Sequence, residues 1–196
     1  MNTKENIQQN KQKLDKILQG YIPGRFEQLR SQLGIELFQY TPEWDKKMDE
    51  MITETRDALD KGHFKGRYGP QSKKSPETNR QEIFDYIARL EEELMTGQYA
   101  PIHPPSGLID AGNTLKLGTL PDELADLAEK HYLSNPKAGA LSSRGICNNR
   151  YNERELNNEP ALNLALKDKE VFQIHMQTTR KLLDCMYDFL ETKVTR

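Results

Sequence analysis

Cysteine, histidine and aspartate are the residues from which this chain could build a nucleophilic site, and they are scattered along it. Cys147 lies in a polar stretch between Arg144 and Arg150, where neighbouring positive charge would favour the thiolate. His103 is the best candidate for its base, with His131 as the other, and Asp110 could orient the ring. Cys185 falls among the apolar residues of the last helical segment and reads as core. The four histidines, His63, His103, His131 and His175, form no HxxxH, HExxH or ExxH pattern. Metal-binding helices and bundles use such spacings, so the sequence motifs point to no metal site and no cofactor. His131 and His175 read as packing histidines.

A second kind of chemistry is anion binding. Ser142, Ser143, Arg144, Asn148, Asn149, Arg150 and Arg154 share one stretch, and arginine with amide and hydroxyl donors suits an anionic or sugar-like ligand. Asn and Ser are also ordinary loop formers through local side-chain-to-backbone bonds. Lys65, Arg67, Lys73 and Lys74 lie in a window without a carboxylate between Asp60 and Glu77, interleaved with Phe64 and Tyr68. Phosphate contacts with base stacking would use such a pattern. The rest of the chain adds no positive excess, which argues against nucleic acid.

Two short strings bear on the same question. Residues Leu108–Gly118 read LIDAGNTLKLG, which resembles the Asp-x-Gly-Asn-Thr phosphate loop of type III pantothenate kinases. That resemblance implies phosphate and metal contacts from Asp110, Asn113 and Thr114. Glu153-Arg154-Glu155, with Ser142 and Ser143 upstream, resembles the paired-glutamate motif of ADP-ribosyltransferases. Both families carry these motifs on or beside β-strands. Helices are expected on either side here, so neither string sets the fold.

The elements that must position these residues are helical. Valine occurs only as Val171 and Val194, few for a sheet-rich domain. Thr3 to Leu18 carries a sparse apolar stripe, fitting a surface helix or a partly ordered arm. Phe26, Leu29 and Leu33 predict a helix over 23–33, ended by Gly34. The run 35–40 is the best extended candidate. Thr41, Pro42, Glu43 and Asp45 form a capped helix start, followed by Trp44, Met48, Met51, Ile52, Thr55 and Leu59 at helical spacing. Ser75 and Pro76 open another helix, with Ile83, Phe84, Ile87, Leu90 and Leu94 on its stripe and Gly97 as its stop. A further helix begins near Thr119, with Leu120, Leu124, Leu127, Ala128 and His131 or Tyr132 inward. The last runs over 169–193, with Val171, Ile174, Thr178, Leu182, Cys185, Met186, Phe189 and Leu190 on its face. A short helix over 161–166 would precede it. The connections 62–74, 97–118 and 134–158 exceed the ~2–8 residues usual in bundles.

The 196 residues carry 35% hydrophobic side chains and a net charge of −2, with a mean hydropathy of −0.85. Apolar surface is scarce, which suits a thin all-α bundle better than a thick-cored enzyme. The expected fold is an irregular bundle of five to seven helices with long loops and at most a short hairpin. Residues 1–20 would form the polar N-terminal helix or arm, and 21–196 a single helical domain. Two cysteines make no disulfide framework, and no apolar run reaches membrane length, so a soluble cytoplasmic protein is expected, in the producing cell or in a host receiving it. The balanced charge steers the chain to neither nucleic acid nor membrane. Another protein is the expected partner, with a small anionic ligand also open.

The function that fits is a non-enzymatic helical protein-binding module of the adaptor, inhibitor, chaperone or effector type. Its binding residues would be Trp44, Met48, Arg144, Asn149, Arg150 and Arg154. The competing reading is a small intracellular enzyme using loops 97–118 and 134–158 on a phosphate-bearing or amide substrate.

Overall fold

The computed structural model describes residues 3–63, 72–99, 104–105, 116–117, 120–135 and 169–194. Among them are six α-helices and no strand. These are α1 (Thr3–Ile17), α2 (Arg25–Arg30), α3 (Pro42–Asp60), α4 (Pro76–Thr96), α5 (Asp122–Ser134) and α6 (Lys169–Val194). The expected mostly helical class is what the described residues adopt. The short helix placed over 161–166 lies outside the described residues.

The helix starts follow their capping chemistry. Thr41 Oγ1 accepts the Trp44 N–H at 3.3 Å, and Ser75 Oγ accepts the Thr78 N–H at 3.2 Å. Each places a proline in the first turn, where its missing N–H costs nothing. Two sequence expectations are corrected. The helix placed over 23–33 spans only Arg25–Arg30, because Gly24 sits at φ +81° and cannot belong to it. The segment read as extended contains a 3-10 turn at Ile35–Phe38. That turn drives Phe38, fully buried, against Phe84 of α4 at 5.9 Å between ring centroids.

Helix α6 organises the bundle by packing against α1, α2, α4 and α5. Its buried positions form two adjacent seams. One runs through Phe172, Met176, Thr179, Leu183, Met186 and Leu190 with Tyr187 beside it, the other through His175, Leu182 and Phe189. The expected face matches in the second half but not the first. Ile174 is 57% exposed, whereas Phe172 and Met176 are buried. Buried His175 and Thr179 occupy the true stripe and disguise it, so the apolar spacing of Val171, Ile174 and Thr178 points one position away. Cys185 is half-buried at the core edge.

Polar clamps fix the ends of this packing. Arg180 donates to the Ile17 and Gln19 carbonyls at 3.0 and 3.3 Å, completing the C-terminus of α1. Arg25 holds Glu191 with two hydrogen bonds of 2.7 and 2.8 Å and Asp188 with one of 2.9 Å, tying α2 to α6. Glu91 of α4 accepts from Tyr21 at 3.0 Å and also from the buried Tyr187 hydroxyl. Burial, reinforced by that carboxylate, raises the Tyr187 pKa.

Gly97 ends α4 at φ +64°. A Cβ there would meet Leu14 Cδ2 of α1 at 2.8 Å and Phe172 Cζ of α6 at 3.7 Å. Gly97→Ala is expected to cost at least the ~1–2 kcal/mol of left-handed backbone strain, read as a lowered urea midpoint. An unchanged midpoint would mean that α1 does not close on this turn.

Helix α3 stands apart from the core. Ile52 is its one buried residue, and even Ile52 lies outside the main apolar cluster. Its N-terminus is anchored by Tyr40 stacked on Trp44, with centroids 4.0 Å apart, and by Asn79 donating to the Tyr40 hydroxyl at 2.8 Å. Lys73 adds contacts of 3.0 and 2.9 Å to Asp45 and Asp49.

Candidate functional site

Three helices each send one ionisable side chain into the same dry volume. On α4, Tyr86, Leu90 and Glu93 follow at i, i+4 and i+7, so Glu93 falls in phase with the apolar stripe and is 1% exposed. On α5, His131 lies in line with Leu124, Leu127 and Ala128 and is fully buried. On α6, His175 and Thr179 are one turn apart and fully buried. Tertiary packing overrides the polarity of these residues because each finds a partner in the others.

Glu93 Oε1 is the hub. It lies 2.8 Å from His131 Nε2, 2.6 Å from His175 Nε2 and 3.1 Å from Thr179 Oγ1. An ionised carboxylate only accepts, so in this arrangement both Nε2 atoms carry hydrogen. The Thr179 hydroxyl has one hydrogen for Oε1 and for the His175 carbonyl, which is 3.0 Å away. The Ser134 hydroxyl has one hydrogen for His175 Nδ1, 2.7 Å away, and for the His131 carbonyl at 3.0 Å. The two rings face each other with centroids 4.6 Å apart, and Tyr99 covers His175 at 5.0 Å. Among the described residues nothing partners His131 Nδ1.

The electrostatics favour an ionised carboxylate beside a neutral His131. Burial pushes the Glu93 carboxyl up, but hydrogen bonds from His131 and His175 outweigh it and hold its pKa down at about 2. Burial depresses the His131 pKa below the usual imidazole value, against the opposing pull of Glu93. Tyr86 is raised, first by burial and then by the Glu93 charge. Two imidazoles and one carboxylate, with their ligand atoms all within 4.8 Å of one another, are also a donor set for a divalent cation. All three side chains are shut off from solvent. A cavity of about 370 Å³ lies beside Arg25, Leu29 and Glu191, and one of about 560 Å³ beside Lys46, Glu50 and Glu54.

The sequence-derived candidates fall elsewhere. Cys147, His103 and Asp110 lie outside the described residues, as do Asn113, Thr114, Arg144, Asn149, Arg150, Arg154, Lys65 and Arg67. Lys73 pairs with Asp45 and Asp49, and Lys74 pairs with Glu82 at 2.7 Å, so both are engaged by carboxylates. Trp44 and Met48 are half-buried on α3. Sequence reasoning took both histidines for packing residues beside the helix cores without bringing them together, and it passed over Glu93. The available signal was phase, a carboxylate at an apolar position of α4. Spacing motifs could not find the cluster, because its members come from three helices 38 and 82 residues apart. Comparison with family models, curated proteins and solved structures finds no match to this chain.

Proposed function

We propose that this protein is a non-enzymatic helical module that binds another protein through α3, acting in the cytosol. The observation that carries the reading is the isolation of that helix. Its nineteen residues are well capped, yet only Ile52 is buried. Trp44 and Met48 are half-buried, and Met51 and Leu59 are 40% and 39% exposed. A helix ordered at its N-terminus, with a partly exposed aromatic and methionine stripe, suits the helix-in-groove or helix-on-helix mode of recognition.

Charge suggests what would sit on it. Over its length α3 has seven acidic residues against three basic ones, so an amphipathic segment with lysine or arginine beside its apolar face is complementary. Trp44 is the single tryptophan of the chain and reports on its own surroundings. A leucine- and lysine-rich amphipathic peptide should shift its emission to the blue in a saturable way, and an acidic peptide of the same apolar pattern should not. Trp44→Ala with Met48→Ala should weaken binding by at least ~30-fold, as expected for an interface centre. That variant would be followed by peptide anisotropy, with melting unchanged. Equal binding of basic and acidic peptides, or none of either, would sink the reading.

A further inference from the structure

We infer that Glu93, His131 and His175 form a binding site for one divalent transition-metal ion of the zinc class, held inside the bundle as a structural clamp between α4, α5 and α6. The donor set is the first argument. Two imidazole nitrogens and one carboxylate oxygen suit Zn²⁺ and its neighbours, whereas calcium and magnesium prefer oxygen alone.

Geometry is the second. The Nε2 atoms of His131 and His175 converge on Glu93 Oε1 at 2.8 and 2.6 Å. Donors around a tetrahedral ion with bonds of ~2.0–2.1 Å stand roughly 3.3 Å apart, so the three groups need to retreat by about half an ångström. Each ligand comes from a different packed helix, the way bundle cores build metal centres.

The outer shell is the third. His175 Nδ1 is held by Ser134 Oγ at 2.7 Å, and that hydroxyl is in turn fixed by the His131 carbonyl at 3.0 Å. A metal-ligating histidine is oriented in this manner through its second ring nitrogen. Thr179 Oγ1, 3.1 Å from the carboxylate oxygen, offers a fourth ligand atom. All three ligand side chains are shut off from solvent, which suits a structural ion rather than a substrate-binding one. Binding requires the hydrogen of each neutral imidazole to sit on Nδ1 instead of Nε2, where Ser134 Oγ can accept that of His175, so that both Nε2 lone pairs face the cation. The site lies in the core and is independent of the α3 surface.

The test uses the full chain after exhaustive chelation, to which Zn²⁺ or Co²⁺ is returned. The expected result is one ion per chain by mass spectrometry and a visible Co²⁺ spectrum of low coordination number. At about a hundred-fold excess over Kd, Tm should rise by about 5–10 °C. His131→Gln and His175→Gln keep an amide near Glu93 and should abolish uptake. Retention of the ion by both variants would place it elsewhere and overturn the proposal, as would no uptake by the parent chain. Should the variants not fold, imidazole nitrogen NMR of the parent decides the matter. Two of the four histidines should lose their Nε2–H signature on adding Zn²⁺, and four unchanged rings would overturn the assignment.

Discussion

Replacing Glu93 with alanine lowers the unfolding free energy by about 2–6 kcal/mol, the cost of leaving two buried donors without an acceptor. The measurement is urea denaturation in the presence of a chelator, so that loss of an ion does not contribute. Two donors lose their acceptor at once, the Nε2–H groups of His131 and His175, while the Thr179 hydroxyl keeps the His175 carbonyl. Each orphaned buried donor costs roughly 1–3 kcal/mol, and both rings are shut off from solvent. Glu93→Gln restores one acceptor oxygen without its charge, and its cost should fall between wild type and alanine. The control is Glu92→Ala, one residue away and exposed, which should stay within about 0.5 kcal/mol. Equal midpoints for Glu93→Ala and Glu92→Ala would show that the cluster does not hold the helices together.

A loss of similar size, about 3–5 kcal/mol, is expected for Phe84→Ala. Phe84 is 5% exposed and receives two rings edge to face, Phe26 of α2 at 5.5 Å and Phe38 of the 3-10 turn at 5.9 Å. The Arg30 guanidinium lies 5.5 Å from its centroid. Truncation therefore removes the surface on which α2 and the 3-10 turn are both seated, besides leaving a cavity. Phe84→Leu keeps most of the volume and should cost far less, about 1 kcal/mol. Amide exchange would localise the effect. Residues 25–38 should exchange faster in Phe84→Ala, while the Glu93 cluster keeps its protection. Uniform loss of protection would show one indivisible cooperative unit instead.

What the sequence made legible follows from how local each signal is. Thr41, Ser75 and Gly97 act on backbone groups within a few residues of themselves, and the structure places α3 and α4 between them as expected. The inward face of α5 was legible because Leu124, Leu127 and Ala128 repeat at helical spacing and Leu120 leads into them. Phe38 was not, since the partner that bends its segment into a turn is Phe84, almost fifty positions further along. The first half of α6 was obscured for a related reason. Its inner positions include His175 and Thr179, polar residues that become interior only because Glu93 waits for them across the bundle. Of the candidate site, each histidine was visible singly and the constellation was not.

The placement of α6 has a consequence for the order in which the protein can be made. It is the last of the described helices to leave the ribosome, and α1, α2, α4 and α5 all close upon it. Until residues 169–194 emerge, Leu14, Phe172's neighbour Tyr99 and the inner face of α5 lack their principal cover. At ~5–20 residues per second, the chain from the end of α5 to the end of α6 takes on the order of several seconds to synthesise. During that interval the nascent bundle is an open trough of apolar side chains with Glu93 and His131 uncovered, a client for whatever chaperone reaches it first.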